Sequence, residues 1–526
     1  MCSIGVQKSL PRAILRCYAL AALLVGLMLL EWVRGTTIPA CIPGIFHVIR
    51  GEMTRLVLSR TSQGLIVAAL LCYHLLLLWL NGSQRIQDAG FNLPWWKALD
   101  LQDWCKSFLV LCAAAQYVRE WETITVPGQG ELFHFQNGTD QSTNALVLLA
   151  GIVSGQFVEL AVPRNDRLRL SLERISLASL VIFLAVASLV RNEWARQFTY
   201  LETSRAMGVW CNPNTCGLLM GVGLVLAMTA LAGSAGLMRE VAATGHPDQY
   251  HVLNQNKRAG KSWWWSLASA GGSGVVTILL GTGLLHSFSR GAWLATLTGG
   301  AFVLFSTCRT NEAPRRASGS ASATPARLIG WRREKWILVV AAWLVVALLL
   351  AVQTPMAHRL ARRATSVANA NDFSWRNRLI SYEGALQIMA NHPIIGIGWR
   401  RVEPEFECFY VPPLLTEPWG IILNDYLTIG MALGIPALAC FISLVWISWN
   451  RAAHIYSASK SPFRHWVRND MFDENRSKSR LRQAYQGALI VLLIGFWFDG
   501  GLFKLALAIP FWFFLELNNS AIGDNE

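Results

Sequence analysis

Arginine is concentrated in one polar stretch that follows a long apolar run ending near residue 352. This stretch, residues 353–420, contains seven Arg, no Lys and six acidic residues. A guanidinium group is a rigid fork of donors that binds phosphate through two bonds, and it stays charged at any physiological pH. The stretch could therefore bind a phosphorylated ligand. Its arginines could equally pair with its own acids or with lipid headgroups.

Arg378 lies in residues 375–390, where apolar residues recur at the spacing of an amphipathic helix. An Arg on an apolar helix face must be paired, and an anionic ligand is one available partner. The helix is predicted to end at the sequence NHPIIGIGW, where a proline and two glycines favour a turn. Its predicted apolar face consists of Leu379, Tyr382, Leu386 and Met389. Arg378 lies one helical turn before Tyr382 and so on the same face.

Two further arginines stand at predicted helix ends. Arg290 begins the sequence RGAW, and Arg205 precedes the sequence NPN, in which Asn212 or Asn214 can cap a helix. Each arginine alone is typical of an anchor at the membrane interface. Together with Arg378 they make three arginines at one predicted membrane depth, and this arrangement predicts a pyrophosphate-binding site.

The composition of the chain, rich in hydrophobic and poor in charged residues, indicates that membrane-embedded segments position these arginines. The chain has 526 residues, of which 53% are hydrophobic and only 15% are charged. Charged residues make up about 25% of ordinary globular proteins, so this chain has too little charge to cover a water-soluble body of its length. The net charge of +14 could indicate a nucleic-acid partner. Basic cytoplasmic loops of a membrane protein explain it better, and we predict no nucleic-acid partner.

Apolar runs predict an all-α, polytopic membrane protein. A bilayer core about 30 Å thick requires about 20 apolar residues per helix, because each backbone polar group must be satisfied within its own segment. Twelve runs meet this description approximately. They are residues 13–32, 63–80, 104–118, 144–162, 173–190, 214–233, 263–285, 289–307, 336–352, 424–448, 484–498 and 500–517.

The distribution of basic residues predicts the orientation. With the N-terminus inside, the basic loops 163–172, 308–335 and 449–483 are cytoplasmic as the positive-inside tendency requires, whereas the basic loop 33–62 does not fit. Residues 353–420 are then external, and because long loops are uncommon unless functional, we expect the chemistry there. The predicted divisions are 1–200 (spans one to five), 201–352 (spans six to nine), 353–420 (external loop) and 421–526 (spans ten to twelve).

Several of these motifs together resemble the O-antigen ligase and polymerase family. The similarity runs from about residue 200 to the C-terminus, and the order of the motifs and the large external loop between spans nine and ten both agree with the family. The motifs that carry it are NPN at 212–214, SRGAW at 289–293, the Arg378–Tyr382 helix, NHPIIGIG at 391–398 and NDYLTIGMALGIPAL at 424–438.

The resemblance implies a bacterial inner-membrane glycosyltransferase with a helical fold of the GT-C type. Members of the family take a glycan from a polyprenyl-diphosphate carrier at the periplasmic face of the membrane. They pass it to a hydroxyl of the lipid A core, of a growing polysaccharide or of a protein. The resemblance also implies no metal and no other cofactor, with Arg290 and Arg378 holding the diphosphate; the third arginine of the predicted site is Arg205.

One position departs from the family's pattern. The family usually has a His, thought to activate the acceptor hydroxyl, where this chain has Leu423 followed by Asn424 and Asp425. We predict Asp425, with Asn424 beside it, as the catalytic replacement, although two residues along a helix turn a side chain by about 200°. Alternatively, Asp425 only caps a helix. The other outward-facing candidates for the base are His286, His392 and Glu417.

Two rival functions remain open on the sequence. A transporter of lipid-linked glycans would place ionisable residues near mid-membrane. The predicted spans carry few, mainly Glu159 and Lys504, with Asp499 near an end, and this scarcity favours chemistry at the outer face. The second rival is that the protein is a catalytically inactive relative of the family, because Leu423 cannot accept a proton.

Overall fold

The structure is a computed structural model of the chain. It describes residues 60–89, 94–122, 143–161, 166–189, 199–200, 203–210, 212–243, 272–310, 358–359, 361–362, 365, 373–410, 424–458, 469–498 and 500–520.

The first half of the described chain is helical, apart from one short pair of strands. The strands β1 (Thr199–Tyr200) and β2 (Thr203–Ser204) pair antiparallel, with Thr199 opposite Ser204. A single 3-10 turn occupies Trp95–Ala98. The helices are α1 (Arg60–Ala89), α2 (Leu101–Glu122), α3 (Thr143–Ala161), α4 (Asp166–Leu189), α5 (Pro213–Ala243) and α6 (Gly272–His286).

The second half of the described chain is also helical, so the predicted all-α class is confirmed in outline. Its helices are α7 (Arg290–Thr310), α8 (Phe373–Asn391), α9 (Val402–Phe409), α10 (Asp425–Leu433), α11 (Ile435–Ala458), α12 (Asn469–Phe498) and α13 (Leu505–Ser520).

Among the described helices, four are long and apolar enough to cross a membrane. They contain the segments Gly64–Gln87, Arg169–Leu189, Pro213–Leu231 and Lys478–Phe498. Four shorter apolar helical segments, Asn144–Glu159, Gly272–His286, Ile435–Asn450 and Leu505–Asn519, accompany them. The predicted spans 13–32 and 336–352 lie outside the described residues.

The prediction of one continuous helix over 424–448 was wrong. α10 ends at Leu433 and α11 begins at Ile435, because Gly434 has a φ of 92°, which a helix does not allow. A side chain at Gly434 would lie 2.2 Å from the carbonyl oxygen of Ile394. The NHPIIGIG segment thus packs into the break, where the N–H of Ile435 donates to the carbonyl of Pro393 at 2.8 Å.

Helices α5, α7 and α12 pack against one another and form the centre of the second half. Glycines let them approach closely, as is common between membrane helices. A Cβ added at Gly221 of α5 would lie 2.1 Å from the Thr296 hydroxyl on α7, and one added at Gly495 of α12 would lie 2.5 Å from Leu218 of α5. These contacts fix the relative positions of the three helices, and hence of the residues at their ends.

Ion pairs join the N-terminal helices to one another and to α13. Lys106 of α2 pairs with Glu516 of α13, and their side chains are only 1% and 2% exposed. Arg85 of α1 pairs with Asp103 at 2.7 Å and with Glu159 at 2.9 Å. Breaking the buried Lys106–Glu516 pair would leave an uncompensated charge, so this pair in particular ties α2 to α13. The sequence analysis had named Glu159 among the few ionisable residues of the predicted spans, but it had not named Lys106 or Glu516.

Helix α8 confirms the helix predicted over 375–390, but only part of its predicted apolar face is buried. Met389 is buried as predicted, whereas Leu379 and Leu386 are 51% and 58% exposed; Ala385 and Ile388 are buried in addition. The reason is that the partners of α8 lie on its Gly384 side, where a Cβ would meet the ring of Phe406 at 2.2 Å. Apolar residues on the opposite side remain exposed.

Candidate active site

One pocket contains all three arginines of the predicted site. Its cavity volume is about 110 Å³, well above the roughly 10–15 Å³ that a single water needs. It lies where α5 and α7 begin and α12 ends. The described residues that line it are Arg205, Asn214, Leu218, Ser289, Arg290, Gly291, Ala292, Arg378, Gly495 and Phe498.

Arg205 is held by two elements that meet at the pocket. Its Nη2 donates to the side-chain oxygen of Asn214 at 2.6 Å, and its Nε donates to the carbonyl of Ser287 at 2.9 Å. Asn212 is the cap of α5, because its side-chain oxygen accepts the N–H groups of Asn214 and Thr215 at 2.9 and 3.2 Å. The NPN motif therefore starts α5 and also presents Asn214 to Arg205.

Arg290 is the first residue of α7 and follows a strained turn. Phe288 in this turn has a φ of 50°, a left-handed conformation that is uncommon for a bulky residue and is often found at functional sites. The indole N–H of Trp293 donates to the carbonyl of Leu284 at 3.0 Å across the turn. Gly291 lets Phe498 approach, since a Cβ there would lie 3.0 Å from the Cβ of Phe498.

Arg378 and Tyr382 fasten α8 to the C-terminal end of α12. Nη2 of Arg378 donates to the Phe498 carbonyl at 3.0 Å, and the Tyr382 hydroxyl donates to the Trp497 carbonyl at 3.1 Å. The last carbonyls of a helix lack partners within the helix and carry partial negative charge, so they attract such donors. Burial raises the pKa of Tyr382; Arg378 and Asn424 oppose that rise only in part. The hydroxyl therefore stays protonated as a donor.

The electrostatics of the pocket favour an anion. Three guanidinium groups line it, and none of its described lining residues is acidic. The N-terminal turns of α5 and α7 also face it, and helix N-termini favour negative charge. Among the residues that the structure describes, no three His, Cys, Asp or Glu side chains come together as metal ligands. Phosphate or diphosphate has the chemistry that this pocket can bind.

Asn424 and Asp425 lie close to α12 and α13 but do not line the pocket. Asn424 caps α10, with its side-chain oxygen accepting the N–H groups of Tyr426 and Leu427 at 3.0 and 3.2 Å. Asp425 is 0% exposed, and its Oδ2 accepts the N–H of Leu502 at 2.7 Å. Asn424, and not Asp425, therefore caps α10, whereas the Asp425 carboxylate binds the segment between α12 and α13.

The other candidates for the base differ in position. His286, at the end of α6, donates from Nδ1 to the carbonyl of Thr282 at 2.7 Å, and the next residue contributes the carbonyl that Arg205 binds. His392 is 44% exposed, 3.8 Å from Glu405, and roughly 20 Å from Arg378 along the axis of α8 at about 1.5 Å per residue. Leu423 and Glu417 lie outside the described residues.

The sequence had not suggested Ser289, Leu218, Gly495 or Phe498 as residues of the pocket. Phe498 could have been suspected, because it closes an apolar run directly before the Asp499–Gly501 break. The other three are ordinary in type, and only helix packing shows that they face the arginines.

These features define a helical membrane protein with an arginine-lined, anion-binding pocket where three packed helices meet. The family model described as O-Antigen ligase matches residues 275–442, so this part of the chain is similar to that family. The matched residues include Arg290 and Arg378, whereas Arg205 and Asn214 precede them. No curated protein was found that matches the chain.

Proposed function

We propose that the chain transfers a glycan from a polyprenyl-diphosphate carrier to a hydroxyl acceptor at the periplasmic face of the bacterial inner membrane. One observation carries the proposal: Arg205, Arg290 and Arg378 come from three distant parts of the chain and line one pocket. Guanidinium groups match phosphate oxygens in geometry as well as in charge. The acceptor would be a sugar of the lipid A core, the end of a growing polysaccharide or a protein side chain.

The proposed reaction is a substitution at the anomeric carbon of the donor. The oxygen of the acceptor hydroxyl attacks this carbon, and the bond from the carbon to the diphosphate oxygen breaks. The diphosphate leaves with the electron pair and so gains negative charge. Fixed cations placed where charge develops lower the barrier without having to reorganise, and this is the role that we assign to the three arginines.

The proton of the acceptor hydroxyl needs a base within reach. We assign this role to His286 in preference to Asp425. The bond from Nδ1 of His286 to the Thr282 carbonyl requires a proton on Nδ1, which leaves Nε2 of the neutral ring with a lone pair. The carboxylate of Asp425 is instead buried and engaged by the N–H of Leu502. His286 does not line the pocket either, but it lies only four residues before Arg290 in the sequence, next to Ser287, whose carbonyl binds Arg205.

Translocation of a lipid-linked glycan is the second candidate. The buried Lys106–Glu516 pair favours it, because ionisable residues within membrane helices are frequent in transport proteins. The pair lies on α2 and α13, however, and neither residue lines the arginine pocket.

One reconstitution separates the two functions. The purified full chain is placed in vesicles with a labelled polyprenyl-diphosphate glycan and candidate acceptors. Our proposal predicts that label appears on an acceptor and that polyprenyl diphosphate is released. Movement of the intact donor between leaflets, with no release of polyprenyl diphosphate, would support translocation and contradict the proposal. If neither occurs with any acceptor class, the chain is an inactive relative.

A further inference from the structure

Arg482 on α12 has an unusual environment for a charged residue. Its Nε and Nη2 atoms are buried, and no described residue accepts a hydrogen bond from either of them. Arg482 as a residue is half-buried, but these two nitrogens have lost their water, and this cost must be recovered from an anion or from other acceptors.

Carboxylates do not supply that partner within the neighbouring described residues. Glu173 of α4 approaches this part of α12, but it accepts bonds from Arg169 at 2.8 Å and from the Tyr485 hydroxyl at 2.7 Å. Along α12 itself, residues 475–498 contain no Asp or Glu. They contain three more basic residues before Arg482: Arg476, Lys478 and Arg480.

The position of Arg482 along α12 places it near the surface of the bilayer. It precedes Phe498, at the arginine pocket, by 16 residues, which is about 24 Å of helix at about 1.5 Å per residue. The hydrocarbon core is about 30 Å thick, and a long side chain can extend its charged end toward the headgroups. If the pocket lies at one face of the membrane, Arg482 lies near the headgroups of the other.

We propose that Arg482 binds the phosphate of an anionic phospholipid headgroup in the leaflet opposite the arginine pocket. Basic pockets between membrane helices recognise such headgroups, and the neighbouring basic residues of α12 add to the attraction. A lipid is favoured over free phosphate because its acyl chains hold the phosphate at the depth of this part of α12. The site lies outside the matched residues 275–442 and does not depend on the proposed transfer reaction.

The test uses the purified full chain in a neutral detergent. Its thermal midpoint is measured as phosphatidylglycerol, phosphatidylcholine or inorganic phosphate is added. A ligand that binds only the folded state raises the midpoint, and above its dissociation constant the rise grows with the logarithm of the ligand concentration. We expect phosphatidylglycerol to raise the midpoint by a few degrees with this dependence on concentration, and the other two additives to leave it unchanged.

Two variants make the result specific. Arg482→Gln should lose the response to phosphatidylglycerol while retaining or exceeding the wild-type midpoint in detergent alone, because the variant no longer buries an unpaired charge. Arg401→Gln, which alters an exposed arginine between α8 and α9, should respond as the wild type does. The proposal is overturned if phosphatidylglycerol has no effect on the wild type, if Arg482→Gln responds equally, or if inorganic phosphate has the same effect as the lipid.

Discussion

Arg378 binds the end of α12 through two contacts with one residue: its Nη2 donates to the Phe498 carbonyl at 3.0 Å, and its guanidinium carbon lies 5.6 Å from the centre of the Phe498 ring. Both residues line the arginine pocket. Cation–π contacts of this kind add to the charge-assisted bond. Helix α8 is thereby attached to α12 at the wall of the pocket itself.

The neighbouring bond from Tyr382 to the Trp497 carbonyl predicts a pH dependence. Because the pKa of Tyr382 is raised in the folded state, the folded chain keeps this proton at pH values where the unfolded chain loses it. The stabilising effect of Tyr382 is thus complete below about pH 10 and is lost as the pH rises through the folded-state pKa. Tyr382→Phe should lower the free energy of unfolding by about 1 kcal/mol at pH 8, and this deficit should shrink at higher pH.

Thermal midpoints measured from pH 8 to 11 give that comparison. Tyr73→Phe, at an exposed tyrosine of α1, is the matched control and should follow the wild type throughout. A constant difference between Tyr382→Phe and the wild type over the whole pH range would contradict the assigned bond.

Adjacent glycines on α7 test the packing of the three central helices. A Cβ at Gly299 would lie 2.7 Å from Val491 and 2.8 Å from the Gly487 carbonyl, whereas the nearest atom to a Cβ at Gly300 would be 3.8 Å away. Gly299→Ala should therefore destabilise the fold by on the order of 1–3 kcal/mol. Gly300→Ala should be neutral or should stabilise it by up to about 1 kcal/mol through helix propensity. Equal midpoints for the two variants would argue against this packing.

The Lys106–Glu516 pair predicts strong coupling between two residues far apart in sequence. Lys106→Met leaves Glu516 buried without its cation and should cost about 3–5 kcal/mol. Adding Glu516→Leu should recover most of that loss, because a buried ion pair can often be replaced by apolar residues of similar volume. A double variant as unstable as Lys106→Met, measured by thermal unfolding in detergent, would show that the two side chains do not compensate each other.

Two substitutions distinguish the candidate bases. His286→Gln preserves much of the side chain's size and removes the proton acceptor, and it should lower glycan transfer by roughly 100-fold or more with little change in thermal midpoint. Asp425→Asn should lower the midpoint, because a carboxylate accepts the Leu502 N–H more strongly than an amide does, while the folded fraction retains transfer. Loss of transfer in a stable Asp425→Asn variant, with activity kept in His286→Gln, would reverse the assignment.

Hydrophobic runs and arginine positions were enough to predict the helical class and the three arginines, because run length and residue type are local properties of the sequence. The break at Gly434 was not predictable in the same way, since it depends on the segment around Ile394 packing against it. The buried side of α8 was only partly predicted for a related reason. It faces Phe406 of α9, and periodicity alone does not show which apolar residues of α8 meet that helix.

The most direct test of the arginine pocket is the affinity of the purified chain for a short-chain polyprenyl diphosphate, measured by calorimetry in detergent. Arg205→Gln, Arg290→Gln and Arg378→Gln should each weaken binding by roughly 10- to 100-fold, the usual value of a hydrogen bond to a charged group. Arg401→Gln should bind as the wild type does. Wild-type affinity in all three pocket variants, with their thermal midpoints unchanged, would contradict the assignment of this pocket to the diphosphate.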